Sequence, residues 1–88
     1  MKWLIVKKSI LIHGRRTSVG IEEAFWIALE EIAQERSVTL TSLVSTIKAE
    51  RKRANLASTL RLLVLDHYRR AREADRAAPK LRRIAGID

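Results

Sequence analysis

Few side chains in this 88-residue chain could do catalytic or metal chemistry. There is no cysteine, which removes thiolate nucleophiles, disulfides and sulfur-ligated zinc or iron–sulfur sites together. The two histidines, His13 and His67, are far apart in sequence and have no third ligand at useful spacing. Neither a metal nor a catalytic role is expected of them. Four of the ten acids form adjacent pairs, Glu22-Glu23 and Glu30-Glu31. Neighbours on a helix point about 100° apart, which suits helix capping and a solvated face better than acid–base work. No enzyme activity, metal or cofactor is therefore expected. The chemistry that remains is that of hydrogen-bond donors and positive charge.

The chain carries 18 Lys or Arg against 10 Asp or Glu, a net charge of +8, and the bases are unevenly placed. Residues 1–21 hold Lys2, Lys7, Lys8, Arg15 and Arg16 with no acid, residues 22–36 reverse the sign, and residues 37–88 are basic again. A concentrated basic edge on a small protein fits a polyanion partner, and it equally fits a solubilising surface. The apolar run Trp3-Leu4-Ile5-Val6 is too short for a signal peptide or a membrane span. A soluble, cytoplasmic protein with no membrane contact is the expectation. A chain this short buries a modest share of its surface, and without cysteine the available reinforcement is self-association.

From Lys8 to Ile21 the chain reads as extended, with Gly14 as the natural bend. In its second half Thr17, Val19 and Ile21 alternate with Arg16, Ser18 and Gly20, the period of two that turns one set inward and the other outward. Glu22 and Glu23 then place negative charge at the start of a helix whose Phe25, Leu29, Ile32 and Ala33 recur at helical spacing to about Arg36. Trp26 and Ile27 widen that face, so Trp26 belongs to a core or an interface. Ser37-Val38 is a very tight turn, easier for glycine if the backbone there is left-handed. Thr39 reads as the N-cap of a second helix over about 40–52, with Leu40, Leu43, Val44 and Ile47 on its apolar side. A third helix starts at Leu56 and runs to about Arg72 or beyond, with leucine on more than one side. The domain is expected to span 1–76, followed by a basic, flexible tail over 77–88.

This order of elements resembles the ribbon-helix-helix DNA-binding family, the class of the Arc and MetJ repressors. The likeness is carried by Arg16-Thr17-Ser18-Val19-Gly20-Ile21-Glu22-Glu23 and by the turn between Ala33 and Leu43. Phe25-Trp26, Asn55-Leu56-Ala57-Ser58, Leu60-Arg61 and His67-Tyr68-Arg69 extend it to a group of short bacterial members with an extra C-terminal helix. The resemblance implies a mainly α fold with a short β ribbon. It also implies an intertwined homodimer in which one strand from each chain pairs antiparallel and the ribbon enters the DNA major groove.

The residues that match the family's base-reading positions are Arg16, Ser18 and Gly20. Arg16 offers a fork of donors to guanine, Ser18 one hydrogen bond, and Gly20 no side chain at all. Implied phosphate contacts are Arg15, the helix start at Thr39, Leu40 and Thr41, and the bases Lys48, Lys52 and Arg53. The implied dimer core is Thr17, Val19, Ile21, Phe25, Trp26, Leu29, Leu43 and Ile47. Lys7 and Lys8 read as phosphate contacts or plain solvation, and Trp3 as packed or exposed. The expected function is transcription regulation, as a repressor that binds double-stranded DNA. Two alternatives stay open: a protein-interaction module of antitoxin type that grips a partner through the third helix and tail, and a helix-turn-helix over 40–53 and 56–70.

Overall fold

The structure, a computed structural model, describes residues 4–84, with side chains to residue 76. Trp3 and residues 85–88 of the expected tail lie outside the described residues. The chain starts with two antiparallel strands, β1 (Ile5–Ile12) and β2 (Arg15–Glu22), joined by the two-residue turn His13-Gly14. Both turn residues have positive φ, 50° and 79°, which is the turn whose twist matches that of the strands it joins.

This hairpin corrects two expectations. Extended structure begins at Ile5 rather than Lys8, and β2 finds its antiparallel partner in its own chain. A second copy is therefore not needed to pair the strand. The start of β1 is hard to see because its pattern is mixed: Lys8 falls on the inward side with Val6, Ile10 and Ile12, while Ile5 and Leu11 fall outward.

Helix α1 (Glu23–Glu35) buries Trp26, Ala28, Leu29, Ile32 and Ala33 under the hairpin. Its first turn carries Glu23, a favourable charge at the positive helix end. It ends in a Schellman arrangement: Val38 N–H donates to the Ala33 carbonyl at 2.9 Å and Ser37 N–H to that of Gln34 at 3.1 Å. Ser37 takes the left-handed position, φ 58°, that glycine usually fills.

Helix α2 (Leu40–Glu50) is capped by Thr39, whose Oγ1 accepts from the Ser42 amide at 3.0 Å. It stops at Glu50, two residues before the expected end, and residues 51–53 form a turn. Helix α3 (Leu56–Ile84) is preceded by Asn55, whose Oδ1 accepts from Ser58 N–H at 3.1 Å. Its helical backbone continues to Ile84, into the segment read as a tail.

One core joins all five elements. Ile10, Ile12, Val19 and Ile21 from the hairpin meet Trp26, Leu29 and Ile32 of α1, Leu43 and Val44 of α2, and Leu60 and Val64 of α3. Each fully buried Leu or Ile contributes about 1.5–3 kcal/mol relative to exposure. Of the eight residues expected in a dimer core, Val19, Ile21, Trp26, Leu29 and Leu43 are buried within this one chain, while Thr17, Phe25 and Ile47 are half-buried at the margin of its core. The Trp26 indole N–H donates to the Val6 carbonyl at 2.8 Å, so the largest core side chain also pins β1 to α1.

Candidate nucleic-acid interface

The inner side of the hairpin is consumed by the core, which leaves its outer side for contacts. The strand register sets Arg16 beside Leu11, Ser18 beside Ser9 and Gly20 beside Lys7. Arg16, Ser18, Lys7, Ser9 and Leu11 are all exposed, and Ser9, Leu11 and Arg16 line a shallow depression. Arg16 and Ser18 thus lie where the period-two pattern of β2 puts them.

Gly20 is half-buried, because Ile5 Cγ2 and Lys7 Cγ lie across it, each 3.4 Å from where a Cβ would stand. A side chain at Gly20 would compete with Lys7 for the same space. Sequence reasoning missed Lys7, Ser9 and Leu11 as partners in this face; only the register of β1 reveals them.

Glu22 is the acid at the end of this face, and it is occupied. Arg61 of α3 binds it in a fork, Nε to Oε1 at 2.8 Å and Nη2 to Oε2 at 3.1 Å. The guanidinium holds the Glu22 carboxyl below its ordinary value of 4.5. Arg61 also stands over the Phe25 ring, 6.0 Å from its centre.

The remaining acids of α1 tie it to its neighbours. Glu30 meets Lys8 at 3.6 Å, and Lys8 also lies over the Trp26 ring at 5.4 Å. Lys8 is therefore directed to α1 and not to the outer face. Glu31 accepts from the Tyr68 hydroxyl at 2.7 Å, which raises the Tyr68 pKa above its ordinary value, and Glu35 pairs with His67 Nε2 at 2.8 Å. The acidic block reads as structural, and His67 is part of a helix–helix contact. Among the described residues no group of three His, Cys, Asp or Glu could hold a metal ion. Nor is any helix among them long and apolar enough to cross a membrane.

The residues expected at phosphate fall into separate places. At the start of α2, Thr39 caps Ser42, and the amides of Leu40 and Thr41 precede the first intrahelical bond, so they point out of the helix end as anion donors. Lys48 is half-buried in the last turn of α2, and Lys52 and Arg53 are exposed just beyond it. An 11-residue helix is about 16 Å long, so these bases and the Thr39 end cannot serve one phosphate. Arg15 is exposed at the turn end of the hairpin. There His13 shares a groove with Ser42, Ser45, Thr46, Ala49 and Glu50 of α2.

Comparison with solved structures finds an uncharacterised protein from Bordetella pertussis Tohama I, with a TM-score of 0.72 and 29% identity. The match covers 83% of this chain and 62% of that one, so the chain spans less than two thirds of that protein's length. A search of curated proteins returns no match. A family model described as a ribbon-helix-helix domain matches residues 5–68, from the first residue of β1 to Tyr68 of α3. Such domains are generally non-enzymatic DNA-binding regulators or antitoxins, and typically bind DNA as dimers. With the hairpin, the capped turn between α1 and α2 and the added α3 all inside or adjoining that match, the chain belongs to the ribbon-helix-helix domain family.

Proposed function

We propose that this protein is a dimeric, sequence-specific DNA-binding regulator that represses transcription by laying its hairpin in the major groove of an operator. The observation that carries this reading is the outer face of the hairpin, where Lys7, Ser9, Leu11, Arg16 and Ser18 stand together in register while Glu22 at its end is engaged by Arg61. A two-stranded ribbon fits the major groove, and that groove shows a distinct donor and acceptor pattern for each base pair. Arg16 is the side chain best able to discriminate, by a paired contact to guanine O6 and N7. Ser18 and Ser9 each give or accept one bond, and Leu11 offers an apolar contact to a thymine methyl. The Leu40 and Thr41 amides, Arg15, Lys52 and Arg53 supply contacts to phosphate that add affinity without sequence.

The test is selection from a pool of random duplexes, followed by titration of the selected and an unrelated duplex at fixed salt. Arg16→Ala should weaken binding to the selected site by roughly 1–3 kcal/mol and change nonspecific binding much less. An unchanged ratio between the two duplexes would remove the hairpin as the reader. Affinity should also fall steeply with salt, as expected of a protein that displaces counterions from phosphates.

A second reading has its own observation. Leu62 and Leu65 of α3 are 64% and 54% exposed, one turn apart on the same side. They favour a protein contact through α3, whether with a second copy or, in the antitoxin-type reading, with another protein.

A further inference from the structure

Helix α3 is longer than the body that supports it. Its 29 residues span about 43 Å, yet among the described residues its last hydrogen bonds and ion pairs to other elements come at His67 with Glu35 and Tyr68 with Glu31, with Arg70 lining a depression beside Glu50 and Arg51 of α2. From Arg69 to Arg76 every residue is exposed. Residues 69–84 contain seven bases against two acids. Within the exposed part, Arg69, Arg72 and Arg76 fall at i, i+3 and i+7 and line one side together with Glu73. Arg70 turns elsewhere, to Asp66 at 3.1 Å.

We propose that this projecting half of α3 is a second nucleic-acid-contacting surface, an arm that grips the phosphate backbone of duplex DNA flanking the site read by the hairpin. The proposal rests on the DNA-binding reading above.

Three observations support it. The first is composition: from Arg69 to Arg76 the helix is polar all round and has no core to serve, and Ala71 and Ala74 give no apolar anchor of the kind a protein groove needs. A row of guanidinium groups suits phosphate, which they can bind in a fork. The second is direction. Arg61 meets Glu22 at the start of α1, while His67 meets Glu35 at its end, so α3 runs alongside α1 in the same sense and leaves the body at the turn between α1 and α2. The Leu40 and Thr41 amides begin at that same turn, where a helix end is already suited to phosphate. The third is reach: sixteen helical residues extend about 24 Å, the length of roughly 7 base pairs.

The experiment compares the full chain with R69Q/R72Q/R76Q on two duplexes, one ending at the selected site and one carrying about 15 further base pairs on each side, beyond the reach of the arm. Glutamine keeps the helix propensity close to that of arginine, and equal circular dichroism and thermal midpoints check that the fold is retained. The triple variant should bind the long duplex at least tenfold more weakly and the short one within about twofold. Its salt slope on the long duplex should be shallower by up to about five units for a dimer, about 0.9 for each of the phosphates that the two arms no longer neutralise. Equal binding of both proteins to the long duplex would overturn the arm, and so would an equal loss on both duplexes. Failure of the hairpin reading shows separately, as a selection that returns no preferred sequence. A backbone contact does not depend on sequence, so the same comparison on long and short arbitrary duplexes then decides the arm.

Discussion

Ser37 is the residue where local conformation and identity disagree most. Its φ of 58° places a Cβ in left-handed backbone, which costs roughly 1–2 kcal/mol for an ordinary residue, and the two Schellman hydrogen bonds hold it there. Ser37→Gly should raise stability by up to about 1 kcal/mol, part of the relief being offset by the greater freedom of glycine in the unfolded chain. A urea titration should show a higher midpoint with an unchanged slope. The tight turn at Ser37-Val38 was legible in the sequence from the cap signal at Thr39, whereas the sign of φ was not, because serine gives no signal for it. The outward placement of Arg16 and Ser18 was legible for a similar reason: Thr17, Val19 and Ile21 alternate cleanly with them. Lys7, Ser9 and Leu11 were illegible as members of the same face, because a lysine on the inward side of β1 breaks its alternation.

At the scale of elements, the hairpin depends on its inner face and on its tie to α3. Val19 is 4% exposed, so Val19→Asp would bury a charge with no partner; the expected result is loss of the native circular dichroism signal. The Arg61–Glu22 fork joins α3 to the end of β2, across 39 residues of sequence. The lowered Glu22 pKa means that its contribution is fully present above the ordinary value of 4.5, and is lost as pH falls through the depressed folded value. The difference in urea midpoint between the native chain and Glu22→Gln should therefore be largest near neutral pH and shrink on acidification below 4.5. The three helices were legible from their apolar spacing and caps. The reach of α3 was not, because beyond Tyr68 no apolar stripe marks where a helix should stop.

For the whole molecule, self-association is expected to complete a structure that leaves Leu62 and Leu65 exposed. Sedimentation at micromolar concentration should give about twice the 10.1 kDa chain mass. The unfolding midpoint should fall on dilution, since stability and association are linked in such a dimer. A folded monomer with a concentration-independent midpoint would exclude it. Closure of the ribbon within one chain was not legible in the sequence, since a two-residue His-Gly turn is a weaker hairpin signal than Asn-Gly or Asp-Gly.

That closure at His13-Gly14 sets how an operator would be laid out. Two hairpins side by side would be four strands wide, about 14 Å at 4.8 Å per step, against a groove about 12 Å wide. A dimer built from closed hairpins would instead make two separate insertions, facing the same side of the duplex when their centres are about 10 base pairs or a multiple apart. Half a helical turn of extra DNA between the two halves would then put them on opposite sides and end joint binding, and a full turn would restore the alignment. A ribbon assembled from one strand of each chain would make a single insertion at the dyad, with no such phase to disturb.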